Sequence, residues 1–239
     1  MIYLKLLRPK DWAKNLFLYI PLFFAGEIFN WIKVFHVFEG FVAFCCIASS
    51  IYIINDYTDK EDDKKHPEKR NRPIASGAVS PTVALTIFAI LVVAGFVTAY
   101  FINSRFLFLL ALYFFLNIGY SFGLKNIPIL DIFIIAIGFA LRVRSGGNIA
   151  KVDVTIWLNI MIFLLALFMA AGKRRDDVLL KISSGNDMRK SVKGYTLDFL
   201  NALLALISSV MIVSYFMYTV SDRVIERHET NRLYLTSLF

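Results

Sequence analysis

Asn55-Asp56-Tyr57-Thr58-Asp59-Lys60-Glu61-Asp62-Asp63 crowds acids into nine residues directly after a long apolar run. Continued as a helix, positions 56, 59 and 63 fall three and four residues apart and share one face. Carboxylates so placed repel one another, and a hard cation relieves the repulsion. Mg²⁺ held by a few carboxylates commonly carries a substrate phosphate as well. The alternative is a solvated acidic helix end. His66, Lys69, Arg70 and Arg72 follow at once, so donors for anionic oxygens lie beside the candidate metal face. Together they have the composition of a diphosphate site.

Three further groups carry possible chemistry. Tyr120-Ser121-Phe122-Gly123-Leu124-Lys125 with Pro128 and Asp131 lies at a turn between two apolar stretches. Lys125 is either a snorkelling interface lysine or a ligand group, and Asp131 falls near the start of an apolar helix. Arg142 and Arg144 lie within that helix. Charges at membrane depth are expensive and normally face a cavity or a partner. Gly172-Lys173-Arg174-Arg175 reads equally well as ordinary inside-positive charge or as an anion contact.

The elements that position these groups are membrane spans. Hydrophobic residues make up 58% of the 239, and the mean hydropathy is +0.62. Windows of about 20 nearly uncharged residues recur, long enough to cross about 30 Å of hydrocarbon. Spans are predicted at 13–31, 34–55, 81–101, 105–122, 128–148, 154–172 and 198–220. The first holds Pro21, lacks a small-residue cleavage site and is followed by more spans, so it reads as a span and not a signal peptide. Cys45-Cys46 lies inside the second span and reads as packing.

The net charge of +8 is placed by topology. Lys5, Arg8, Lys10 and Lys14, the basic residues from Lys60 to Arg72, and those from Lys173 to Lys193 all fall on one side of the predicted spans. The positive-inside rule makes that side cytoplasmic. With no helix-turn-helix, zinc finger or basic coiled coil in the chain, nucleic acid is not expected as a partner. No linker splits the sequence, so a single helical membrane domain over 1–239 is expected. The apolar stretch Tyr234 to Phe239 reads as the start of another span or as a short membrane-dipping tail.

Asn55-Asp56-x-x-Asp59-x-x-x-Asp63 resembles the first signature of the UbiA-type membrane prenyltransferase superfamily. The continuation His66-Pro67-x-Lys69-Arg70-x-Arg72-Pro73-Ile74-Ala75-x-Gly77 extends the likeness. Within the superfamily the chain is most similar to the decaprenyl-phosphate phosphoribosyltransferase branch. The supporting segments are Leu7 to Asn15, Tyr120 to Asp131, Gly138-Phe139-x-Leu141-Arg142 and Met169-x-x-Gly172-Lys173-Arg174.

The resemblance implies an all-α integral membrane fold, a UbiA-like helix bundle around a central cavity. About seven full spans of an implied nine are present, with the C-terminal helices apparently lacking. It implies Mg²⁺-dependent transfer of 5-phosphoribose from phosphoribosyl diphosphate to a polyprenyl phosphate, with release of diphosphate, for cell-envelope glycan precursors. Asp56, Asp59, Asp63, Lys125 and Asp131 would be the catalytic set, with Asn55 joining the three N-terminal acids on the metal. Lys125 would help bind diphosphate, and Asp131 would supply a second metal or sugar contact. Lys14, Lys69, Arg70, Arg72, Tyr120, Arg142, Lys173 and Arg174 would bind substrate. The expected location is the cytoplasmic (inner) membrane, with the active site facing the cytosol; membrane lipid is a partner, and a homo-oligomer stays open.

The other reading within the same fold is a prenyltransferase that moves a polyprenyl group from its diphosphate to an aromatic acceptor. A transporter would leave the acidic face unexplained and would need paired interrupted spans, which the sequence lacks. A truncated, inactive relative would bind metal and donor without turnover.

Overall fold

The computed structural model describes residues 2–65, 67–184, 194–228, 232 and 236. Among them the fold is all-helical: α1 (Ile2–Leu7), a 3-10 helix (Pro9–Tyr19), α2 (Ile20–Phe24), α3 (Trp31–Thr58), α4 (Lys60–Lys65), α5 (Pro81–Ile102), α6 (Ser104–Ser121), α7 (Leu130–Ala150), α8 (Ile156–Ser184), α9 (Leu197–Thr219) and α10 (Asp222–His228). Six of these, α3 and α5 to α9, are long and apolar enough to cross a membrane. Five of the six start on side-chain caps that relieve the orphan N–H groups of a first turn, Thr155 accepting from Leu158 N–H at the start of α8. Asn30, Ser80, Asn103 and Thr196 accept from the amides of Lys33, Val83, Phe106 and Phe199.

The contacts divide the chain into two compact units. The first comprises Met1–Lys125 with Leu141–Asp153, and the second Asn126–Ala140 with Val154–Phe239.

In the first unit α3 is the spine. Much of its apolar length is buried, whereas α5 leaves most of its own exposed. Ile47 of α3 packs against Gly95 of α5, and Phe44 meets Phe106 and Tyr113 of α6. A smaller cluster of Leu6, Ile53, Ile74, Val79 and Ala84 closes the end of α3 that carries the acids.

The first predicted span, 13–31, is not one α-helix. It begins at Pro9 and runs to Tyr19 as 3-10 helix before the short α2. A 3-10 helix repeats every three residues, and Trp12, Asn15, Leu18 and Pro21 accordingly form one ridge. Trp12 donates to Ser49 Oγ and Asn15 to Cys45 Sγ, while Leu18 and Pro21 are buried. The segment runs antiparallel to α3: Arg8 meets Asp56, and the Tyr19 ring meets Phe41. Eleven residues at about 2.0 Å and fifteen at about 1.5 Å both span about 22 Å, so the tighter helix keeps register with its neighbour.

Gly146 of α7 is what admits this segment. A Cβ there would overlap the Leu18 carbonyl, a backbone group that cannot swing aside. Gly146→Ala should therefore push the 3-10 helix off α7 and cost about 1–3 kcal/mol, the usual scale of overpacking. Thermal melting in detergent checks this, and an unchanged melting temperature would refute it.

In the second unit α7, α8 and α9 pack through Ile132, Ala136, Ala166, Leu167, Ala170, Ala171 and Ile207. The small residues allow close approach of helices, as is common where lipid supplies no hydrophobic drive.

Candidate active site

The acid run does not continue as one helix. α3 ends at Thr58, Asp59 caps it, and α4 starts at Lys60. Helix-like bonds persist across the joint, from Asp59 N–H to the Asn55 carbonyl and from Asp63 N–H to the Asp59 carbonyl. The joint separates the three acids into two groups. Asp56 and Asp63, both nearly fully buried, converge on one guanidinium: Arg72 Nη1 lies 3.0 Å from Asp56 Oδ1 and 2.7 Å from Asp63 Oδ2. Asp59 instead lies with Asn55 about the Lys125 ammonium, whose Nζ is 2.6 Å from Asp59 Oδ1 and 3.2 Å from Asn55 Oδ1.

The loop after α4 explains how Arg72 returns to the acids. Lys69–Asn71 form a 3-10 turn, and Arg72 is extended, as a residue preceding proline prefers. Ile74 plugs the cluster with Leu6 and Ile53, and Gly77 at φ +77° makes a left-handed turn that other residues resist. The Arg72-Pro73-Ile74-Ala75-x-Gly77 motif is thus an arginine, its stop, an apolar anchor and a turn.

Arg8 is a functional candidate that the sequence marks only as a topology-setting charge and as part of a family segment. Its backbone is left-handed (φ 52°, ψ 60°) directly before Pro9, a costly conformation for a non-glycine residue. The guanidinium bonds Asp56 Oδ1 and lies 5.0 Å from the Tyr52 ring centroid. Lys14 stands by the same ring, with Nζ 2.6 Å from Asp11 Oδ1 and 3.5 Å from Tyr52 Oη. The only signal in the sequence was an arginine before a proline.

Arg8, Arg72 and Lys125 thereby match Asp56, Asp59 and Asp63 in charge. Among the described residues no three His, Cys, Asp or Glu side chains converge on one point. The oxygens do converge in pairs, Asp56 with Asp63 and Asn55 with Asp59, and each pair holds a side-chain cation. An all-oxygen donor set of this kind suits Mg²⁺ in ligand type. Basic groups already within the cluster would then be free for phosphate oxygens.

Other predicted residues lie elsewhere or outside. Tyr120 and Lys69 are half-buried, Arg70 and Lys173 are exposed, and His66 lies outside the described residues. Arg142 is buried on α7, about 18 Å along the helix from its start. It donates through Nε to Asn15 Oδ1 (2.9 Å) and through Nη2 to Tyr113 Oη (2.7 Å). It ties α7 to α6 and the 3-10 helix through these two bonds. Arg144 is exposed. Near the other end of α3, Leu16, Tyr19, Ile28, Val34, Phe38 and Phe41 line an apolar groove of about 380 Å³ that offers no groups for chemistry.

In the second unit Asp131 opens α7 and is fully buried. Its Oδ2 accepts from Arg174 Nε at 2.6 Å and its Oδ1 from Tyr195 Oη at 2.5 Å. Arg174, 2% exposed, also donates to Asp177. Burial and the bond to Asp131 push the Tyr195 phenol above its ordinary range, so it stays a proton donor at neutral pH.

Six helices apolar enough to cross a membrane, with carboxylates, arginines and a lysine clustered at the end of one, match in class the membrane-embedded transferases to which this chain is similar. The chain belongs to the UbiA prenyltransferase family, whose model matches residues 16–177. It is 37% identical over 222 residues to a decaprenyl-phosphate phosphoribosyltransferase of Mycolicibacterium smegmatis, covering 91% of this chain and 70% of that protein. It is 26% identical to a 4-hydroxybenzoate octaprenyltransferase of Pasteurella multocida, covering 89% and 69%. The fold matches a UbiA homologue of Archaeoglobus fulgidus bound to GPP and Mg²⁺, with TM-score 0.78 and 20% identity over all of this chain and 85% of that one. The same homologue bound to Cd²⁺ matches with TM-score 0.73 and 18% identity, over 100% and 86%.

Proposed function

We propose that this chain transfers 5-phosphoribose from phosphoribosyl diphosphate to a polyprenyl phosphate at the cytosolic face of the cytoplasmic membrane, releasing diphosphate, in the supply of cell-envelope glycan precursors. The carrying observation is the pairing of Asn55, Asp56, Asp59 and Asp63 with Arg8, Arg72 and Lys125 in one cluster. The likeness to decaprenyl-phosphate phosphoribosyltransferases over nine-tenths of the chain supports the choice of donor and acceptor.

Mg²⁺, held by Asp56, Asp59, Asp63 and Asn55, would neutralise the charge that grows on departing diphosphate. Arg8, Arg72 and Lys125 bind the diphosphate oxygens and hold the leaving group in place. Lys14, on the Tyr52 side of the cluster, is the candidate contact for the second phosphate. The acceptor phosphate is anionic near neutral pH, so the reaction needs no general base. Catalysis rests on positioning and charge stabilisation. The basic segments on one side of the spans support the cytosolic orientation, which a cytosolic sugar donor requires.

The test mixes ribose-labelled phosphoribosyl diphosphate with polyprenyl phosphate in liposomes, with and without Mg²⁺, beside Asp59→Ala and Asp63→Ala. Metal-dependent label in lipid, lost in both variants, is the expected result. Absence of label from lipid with folded wild-type protein would refute the reading. The second reading, transfer of a prenyl group to an aromatic acceptor, is favoured by the octaprenyltransferase likeness. It predicts consumption of polyprenyl diphosphate and not of the sugar diphosphate.

A further inference from the structure

The turn that leads into α7 is held by a residue with no part in the acid cluster. Ile129 has φ +71°, a conformation that β-branched residues rarely adopt and that persists only where the surroundings over-determine it. Here the surroundings are Tyr195. Its hydroxyl accepts the Ile129 N–H at 2.6 Å and donates to Asp131 Oδ1, so one oxygen ties both ends of a three-residue stretch. The chain before it lies flush on the turn, because a Cβ at Gly194 would overlap the Pro128 ring. The Tyr195 ring stacks on Phe199 and is buried with Val178 and Leu200, which seats it independently of its hydroxyl.

Asp131 is the other half of the arrangement. Each of its oxygens already has a charged or phenolic donor, and no part of the residue reaches solvent. With both oxygens engaged the carboxylate offers no further side to an ion or a sugar, whereas the described bonds engage Asp56 through Oδ1 and Asp63 through Oδ2. We infer that Tyr195 is a positioning residue: with Arg174 it commits Asp131 to holding the 127–131 turn, and Asp131 takes neither metal nor sugar. The turn begins two residues after Lys125 in the chain. The effect on turnover rests on the proposed reaction; the clamp itself does not.

The experiment uses the full chain in detergent with Tyr195→Phe, Asp131→Asn, the double variant, and Ile207→Val as a core control in the same unit. Hydrogen exchange over 127–131 reads the clamp directly. Tyr195→Phe should speed exchange of the Ile129 amide about tenfold, since the bond that protects it is lost. Mn²⁺ affinity, followed by its EPR signal with inorganic diphosphate present, should stay within about twofold of wild type in Tyr195→Phe and Asp131→Asn. In the transfer assay Tyr195→Phe should lower kcat about tenfold with KM for the sugar diphosphate within about twofold. The double variant should be no worse than Asp131→Asn, as expected of residues acting as one unit. Ile207→Val should lower the melting temperature and leave kcat, Mn²⁺ affinity and exchange over 127–131 unchanged. Unaltered exchange in Tyr195→Phe would overturn the clamp. A tenfold loss of Mn²⁺ affinity in Asp131→Asn but not in Tyr195→Phe would make Asp131 a metal ligand and overturn the inference. If wild type transfers no label, the proposed reaction fails alone, and exchange still decides the clamp.

Discussion

Asp56→Asn is expected to reduce the proposed phosphoribosyl transfer by about a thousandfold, the scale of losing a principal charge-stabilising contact in a water-poor site. The carboxylate is buried, accepts from Arg8 and Arg72 through one oxygen, and shares Arg72 with Asp63. Asparagine keeps the shape and removes the negative charge. Arg8 and Arg72 then face each other with one acid between them, and the proposed metal site exchanges an anionic ligand for a neutral one. Both effects disfavour the bound metal-diphosphate and its developing charge. Single-turnover assays with saturating donor check the size of the loss, and Mn²⁺ titration separates metal loss from failure to fold. A variant that kept a tenth of wild-type turnover would remove Asp56 from the metal set.

The second large effect concerns stability. Arg174→Ala should cost about 3–5 kcal/mol, because it leaves the Asp131 charge buried with the Tyr195 hydroxyl as its remaining described side-chain partner. Arg174 and Asp131 are 2% and 0% exposed at their side chains, so solvent cannot take over. Combining Arg174→Ala with Asp131→Asn should recover much of the loss, since the unpaired charge goes with its partner. Melting curves of the two single variants and the double in one detergent test this. Equal melting temperatures for wild type and Arg174→Ala would show that the pair adds nothing.

These effects fall on two groups that differed in how visible they were beforehand. The acid run was visible because local spacing alone set it apart, and five of the six long spans were visible within about two or three residues because hydrocarbon thickness sets their length. The sixth, α8, was placed but runs on well past its predicted end at 172, to Ser184. The first segment was misread in type. A composition window cannot tell an α-helix from a 3-10 helix, and the segment packs against a glycine of α7 that lies more than a hundred residues away. The shared face of positions 56, 59 and 63 held only in part: the helix ends at Asp59, Asp56 and Asp63 still meet on Arg72, and Asp59 turns to Lys125.

The sequence by itself determined that this is a multi-pass membrane protein with an acidic, oxygen-donor motif at the end of a span and basic residues close behind it. Those properties are local: they follow from hydropathy summed over a span and from residues a turn apart. Tertiary structure alone decided which base meets which acid. Arg8 reaches Asp56 across 48 positions, Lys125 reaches Asp59 across 66, and Tyr195 reaches Asp131 across 64. Pairings of that range depend on how helices pack, and packing depends on many small volumes at once, such as Gly146 beneath Leu18 and Gly194 against Pro128. No window along the chain carries that sum.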